Sequence, residues 1–378
     1  MKLGFRAISR YSRPVRGLVV VLVVALVAAV AASAKRVDAP RGLSTTDQTA
    51  GMPKAAIDLT AIPLGTGKGG TTARVGYLDR CGGVPSGGPP VKIPPWVGSS
   101  TWNATTKVAV EGDVSHTPSF KAMHSGSREV LTGNGLPAVS GTFPVASSDP
   151  ADAYNPDPGS ITSHTISLSL PYNPTVASHP SCESGTVGLE NGIPLLDGFD
   201  AGGNDASAVE VQDACHGHPN DVVGYHYHSL SPCVLTTSAL THATQVGWAL
   251  DGFGIYVEYD AQGQLLTNSA LDVCHGRTSV IPWHGKMTRI YHYDMTFEFT
   301  YSVGCYRGTP ISFQGMMIPN AGSTGQQSGG GGGGQQQGSS GSGGSGQQAA
   351  AQQCQAQGLT PGTPQFGQCM SGKGYPPD

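Results

Sequence analysis

The chain has 378 residues, 55 of them glycine and 28 proline, and only 12% are charged. That composition excludes a helical bundle or coiled coil, which would be rich in Ala, Glu, Lys, Leu and Arg, and fits short strands joined by many turns. Formal net charge is −4; the first 34 residues hold five of the 21 basic residues and no acidic one, so the remainder sets 16 basic against 25 acidic groups. Nucleic acid is therefore not an expected partner.

At the N-terminus, Lys2, Arg6, Arg10, Arg13 and Arg16 precede an uncharged apolar run from Leu18 to about Ala32 and the small-residue site Ala32-Ser33-Ala34. This order predicts that residues 1–34 are a secretory signal peptide or an uncleaved signal anchor. The run is shorter than the roughly 20 apolar residues that span a bilayer, and membrane contact is expected only if the segment stays uncleaved. Either outcome predicts a secreted, periplasmic or cell-surface protein. Residues 35–54 are polar and aperiodic, and read as a flexible lead-in.

From 55 to 319 the chain shows short β-type runs, for instance Ile161 to Leu168 and Phe297 to Val303, broken by turn residues. The predicted fold is mainly β: a single β-rich domain, stabilised by disulfides and containing two similar halves. The halves, about 187–233 and 246–305, share five landmarks in order. Val187-Gly188, Asn191-Gly192, Asp200 to Gly203, Asp213-Ala214-Cys215-His216-Gly217 and Tyr225-His226-Tyr227 recur as Val246-Gly247, Asp251-Gly252, Asp260 to Gly263, Asp272-Val273-Cys274-His275-Gly276 and Tyr291-His292-Tyr293. The offsets are 59, 60, 60, 59 and 66, the last reflecting an insertion around Ser279 to Thr288. The turn elements among them are read as architecture.

Eight of the 12 histidines lie between His216 and His292. If Tyr225 to His228 is a strand, His226 and His228 share one face about 7 Å apart, while Tyr225 and Tyr227 face the other way. A turn at Cys215-His216-Gly217-His218, tied to Cys233, would bring His216 and His218 alongside. Four imidazoles would then converge on a divalent transition metal, zinc or copper first, with Asp213, Tyr225 and Tyr227 in supporting roles. A buried hydrogen-bond network of the same residues, needing no ion, is the competing account. In the second half, Asp272, His275, Arg277, His292 and Asp294 occupy the corresponding positions. Arg277 replaces His218 and cannot ligate, Asp294 replaces His228, and an Arg277–Asp294 charge pair is expected to stand in for the ion.

Residues 320–353, almost pure Gly, Gln, Ser and Ala, read as a disordered tether, and 354–378 as a short cysteine-bounded tail. Eight cysteines in an exported chain predict disulfides. Local spacing pairs Cys215 with Cys233, Cys274 with Cys305 and Cys354 with Cys369, leaving Cys81 for Cys182.

Tyr225-His226-Tyr227-His228, Gln212-Asp213-Ala214-Cys215-His216-Gly217-His218, Gly252-Phe253-Gly254-Ile255-Tyr256, Leu271 to Gly276 and Gly304 to Pro310 together resemble the YHYH-domain family, roughly from Val187 to Pro310. The resemblance implies export and brings no established reaction. Three function classes follow: a metal-binding protein; a metal-dependent hydrolase or oxidoreductase with Asp213, Asp272 or Glu210 as base; or a metal-free structural or binding module whose Trp248, Trp283, Tyr256 and Tyr259 contact a surface glycan or protein.

Overall fold

A computed structural model describes residues 49, 51–88, 91–155, 159–235, 243–313 and 318–319, all within one compact unit that spans 1–323. The signal segment, most of the lead-in, the tether and the tail with Cys354 and Cys369 lie outside the described residues. Among those described, no helix is long and apolar enough to cross a membrane.

The protein is mainly β. A smaller sheet contains β1 (Phe120–Ser125), β2 (Arg128–Gly133) and β3 (His164–Pro171), with Ile318–Pro319 pairing on the outer edge of β3. The strand predicted at Ile161 begins at His164, and its alternation is strict: His164, Ile166, Leu168 and Leu170 are buried while Thr165, Ser167 and Ser169 are exposed. The strand predicted at Phe297 to Val303 does not form. There the chain turns, with Tyr301 at φ +65° donating its N–H to Glu298 O, because Phe299 and Tyr301 pack into a separate cluster with Leu78 and Phe199.

The main sheet has eight strands: β4 (Thr186–Glu190), β5 (Ile193–Leu196), β6 (Gly217–Asn220), β7 (Gly224–Tyr227), β8 (Ala243–Ala249), β9 (Gly254–Glu258), β10 (Gly276–Trp283) and β11 (Lys286–Asp294). Their spatial order is β6-β7-β5-β4-β8-β9-β11-β10. Outward from the antiparallel β4·β8 pair, both sides run the same way: an antiparallel neighbour, then a parallel pairing (Leu195 with Tyr227, Ile255 with Tyr293), then a terminal antiparallel hairpin. Both central strands carry a register shift, at Val187 and at Val246. Each is followed by a glycine with no room for a side chain, since a Cβ on Gly188 would lie 2.3 Å from Trp248 O and one on Gly247 2.1 Å from Leu189 O. The core is built on the inward residues of this sheet, among them Val187, Leu189, Leu195, Tyr225, Tyr227, Ile255, Val257 and Tyr293.

Three disulfides join Cys81 to Cys182, Cys215 to Cys233 and Cys274 to Cys305, as the spacing predicts. Closing loops of 101, 18 and 31 residues removes conformations from the unfolded chain, a gain on the order of 3–5 kcal/mol per bridge in the chain-entropy picture.

Glu190 ends β4 fully buried, and its one protein contact at Oε1 is the Ser231 N–H at 2.9 Å, leaving Oε2 without a partner. Burial raises its pKa to about 8, only partly offset by that hydrogen bond. A carboxyl that holds its proton more tightly folded than unfolded stabilises fully below about pH 4.5, and that contribution is lost as pH rises towards 8. Glu190→Gln should therefore gain stability over the native chain by about 1.4 kcal/mol per pH unit across this window, read from urea melts at a series of pH values. A difference that does not change with pH would refute a buried protonated carboxyl here.

Candidate metal centre

The site grows from a turn. Asp213 Oδ1 accepts the backbone N–H groups of Cys215 (2.8 Å) and Gly217 (3.2 Å), Oδ2 accepts that of Gly141 (2.9 Å), and the Tyr225 hydroxyl donates to the same carboxylate at 2.8 Å. Bound this way, the turn puts His216 in the left-handed region at φ +61° and starts β6 at Gly217, whose Cβ, were there one, would sit 2.3 Å from the Tyr225 ring. The hairpin register then sets His218 directly opposite His226. His228 follows β7 on the same face as His226, with ring centroids 5.1 Å apart, and the His218 and His226 centroids are 4.3 Å apart.

His218, His226 and His228 are all buried, and one nitrogen from each lies within 4.8 Å of the others. His226 Nδ1 is 2.9 Å from Gly224 O and His228 Nδ1 is 2.5 Å from Asp197 O. A carbonyl only accepts, so both Nδ1 atoms carry the proton, and in the neutral ring Nε2 is a bare lone pair. Glu210 closes the group, with Oε2 3.1 Å from Nε2 of both His218 and His228. A lone pair and a carboxylate oxygen repel at that distance unless a cation, either a proton or a metal ion, lies between them.

The electrostatics run accordingly. Burial alone would raise the Glu210 pKa, but the His218 and His228 imidazoles outweigh it and hold the carboxyl well below its ordinary range. Burial, with His218 and His228 adding to it, pushes His226 well below the usual imidazole value, so this ring is neutral and ready to ligate at pH 7. For His228 burial acts downward, yet Glu210 and Asp197 prevail and raise it.

Two further supports were not read from the sequence. Lys107 is buried, and its Nζ donates to Ser207 O (2.6 Å) and Gln212 Oε1 (2.8 Å), gripping the chain on both sides of Glu210. Cys81–Cys182 sets Arg80 beside Glu183, and Arg80 Nε lies 2.9 Å from Asp197 Oδ2, fixing the residue whose carbonyl orients His228. The site opens on a groove of about 550 Å³ whose walls include His218, His226, His228, Glu210 and Arg80.

Several predicted residues take other places. His216 does not join the other three imidazoles: its left-handed φ ends the strand alternation, and the ring instead faces a separate cavity lined by Trp102 and Lys107, with Nδ1 3.0 Å from Leu230 O. Asp213, Tyr225 and Tyr227 lie on the core side of the hairpin, where Asp213 caps the turn and orients no imidazole. The orienting groups are backbone carbonyls, and the nearby acid is Glu210, which the sequence offered only as a candidate base. Its signal was Val209-Glu210-Val211, an acid between two residues that are both buried.

The turn at Asp272 is capped in the same way as the turn at Asp213. Asp272 Oδ1 accepts from Cys274 N, Gly276 N and Tyr291 OH, and His275 takes φ +69°. Like His216, His275 is turned away, with Nε2 against Asn268 Oδ1 and Thr296 Oγ1. Arg277 lies opposite His292, but its ion pair is with Glu258 at the end of β9 (Nε to Oε2 3.0 Å) and not with the expected Asp294. Tyr256 and Trp283, offered as ligand-contacting aromatics, are buried together in a small core cluster.

Residues 167–268 match the family model described as YHYH protein. That span holds every residue of the His218, His226, His228 and Glu210 group, and ends before Arg277, His292 and Asp294. No curated protein and no solved structure matches the chain.

Gly217→Ala should cost about 1–3 kcal/mol in equilibrium unfolding, because the added methyl overlaps the Tyr225 ring that Asp213 holds in place. Gly276→Ala should behave alike against Tyr291, where the Cβ would fall 2.4 Å from the hydroxyl oxygen. Unchanged stability in both variants would show that the tyrosine–aspartate lock is looser than its hydrogen bonds indicate.

Proposed function

We propose that this is an exported metal-binding protein whose YHYH domain holds one divalent transition ion, zinc or copper, through His218, His226 and His228, with Glu210 as a fourth donor or as hydrogen-bond partner of an ion-bound water. One observation carries the reading: three buried imidazole nitrogens converge with a carboxylate in one pocket, and the opposite edges of His226 and His228 are bound to backbone carbonyls. Three nitrogens suit borderline ions of this class better than calcium or magnesium, which take oxygen. Export is supported by the basic, apolar and small-residue order of positions 1–34 and by the three disulfides. We read the two sides of the main sheet as copies of one duplicated unit, supported by the mirrored strand order and by turns capped alike at Asp213 and Asp272.

A second reading, hydrolysis, is favoured by the groove: a purely structural ion site is closed, whereas this one opens on a volume large enough for a small ligand. A bound ion would supply Lewis acidity there. Glu210, held ionised and slightly exposed at the groove wall, is placed to take a proton from water.

The purified full-length protein, analysed by elemental mass spectrometry, should carry zinc or copper that a chelator removes. The double variant His226→Ala/His228→Ala should lose that equivalent, and His216→Ala should keep it. Absence of any stoichiometric metal after reconstitution with zinc and with copper would refute the proposal and leave the hydrogen-bond network as the role of the cluster.

A further inference from the structure

At the opposite end of the main sheet, Glu258, His292 and Asp294 form a second group of three buried donors, again with one atom from each within 4.8 Å of the others. His292 repeats the arrangement of His226: its Nδ1 lies 3.1 Å from Ile290 O, two residues back, and so donates, which turns Nε2 towards Glu258 Oε2 at 3.0 Å and Asp294 Oδ2 at 3.6 Å. Asp294 is fully buried, and neither of its carboxylate oxygens receives a hydrogen bond. Arg277 supplies one positive charge, spent on Glu258 from the solvent side, where about a third of its side chain is exposed. One guanidinium therefore faces two buried carboxylates, and the carboxylate it does not reach is the one aimed at the bare edge of an imidazole. Two carboxylates this close in a dry interior are not both charged unless a cation, either a proton or a metal ion, lies with them.

We propose that Glu258, His292 and Asp294 form a second cation site, distinct from the three-histidine site, which binds a divalent ion preferring oxygen donors, with Mn²⁺ as its representative. Arg277 then acts as the hydrogen-bond donor that orients the Glu258 carboxylate. Two oxygens and one nitrogen make a harder donor set than three imidazoles, so the two ends of the sheet differ in which ions they select.

The test uses the chelator-stripped full-length protein and Mn²⁺ followed by electron paramagnetic resonance, in which bound ion drops out of the free six-line signal. The native protein and His226→Ala/His228→Ala should each bind one Mn²⁺ equivalent. Asp294→Asn, which keeps the shape and removes the charge, should weaken binding at least tenfold while retaining the zinc or copper of the first site; Glu258→Gln should do the same and serves if Asp294→Asn does not fold. Failure of the native protein to bind Mn²⁺, or binding unchanged in both carboxamide variants, would overturn the proposal and leave the charge balance to a proton held within the cluster. Mn²⁺ lost only with His226→Ala/His228→Ala would overturn it too, by placing the ion at the first site. Loss of zinc or copper in that variant with Mn²⁺ retained separates the two sites.

Discussion

The carboxylate of Asp213 governs the arrangement. Buried, it meets three backbone N–H groups and one tyrosine hydroxyl, and thereby converts a five-residue stretch into a fixed corner. Burial raises its pKa to about 6 against the pull of those donors, so near neutrality the corner is held by a charge that water no longer screens. Three consequences follow from the one corner. Cys215 is aimed at Cys233, His216 is driven into the left-handed region and away from the groove, and Gly217 begins a strand whose register brings His218 against His226. Asp272 and Tyr291 build the same corner in the second half, where Cys274 is bridged to Cys305 and Arg277 is brought opposite His292.

The corner was legible in the sequence as a recurring landmark, although its role was read too close to the chemistry. Asp-x-Cys-His-Gly followed by Tyr-His-Tyr contains the capping acid, the bridged cysteine, the glycine and the hydroxyl that closes the lock. Period-two alternation assigned His226 and His228 to one face and the tyrosines to the other, and that division holds. The turn expected at Cys215 to His218 forms, but it aims only His218 at the other imidazoles, because His216 sits at positive φ and its ring turns to the separate cavity. Glu210 and Glu258 escaped a positional alignment of the halves for a different reason. They do not occupy equivalent positions: one follows the short helix α1 (Ala206–Val209), the other ends β9, and only the folded sheet brings each beside its imidazole.

The segment before the landmarks carried no readable motif, yet it supplies two of the site's supports. Arg80 is positioned by the bridge between Cys81 and Cys182, a pairing 101 residues apart. Lys107 reaches Ser207 and Gln212 across 100 and 105 residues of chain. Contacts of such separation leave no local signature, since periodicity and turn chemistry report only on neighbours in sequence. Burial of an ammonium lowers the Lys107 pKa to about 7 even with Glu210 and Asp205 nearby, a cost the fold bears in holding both flanks of Glu210 in place.

The two ends of the sheet carry different donors at matching places in their hairpins. Moving from His218 to Arg277 introduces a fixed positive charge, and moving from His228 to Asp294 introduces a negative one, so the pair of changes preserves net charge at one end relative to the other. Glu258 and Glu210 then each add a carboxylate to their own group, 3.0 and 3.1 Å from the nearest imidazole nitrogen. What differs is where the positive charge sits. At the first end Lys107 and Arg80 are committed to Ser207, Gln212 and Asp197, and only a proton or an ion fits between the imidazole lone pairs and Glu210. At the second, the guanidinium stands to the solvent side on Glu258, while Asp294 faces His292 Nε2 at 3.6 Å. One end of the sheet is thus a nitrogen-rich group open to a groove and the other an oxygen-rich group buried in the sheet, a difference that follows from Arg277 and Asp294 standing where the first end has His218 and His228 and from where Glu210 and Glu258 enter.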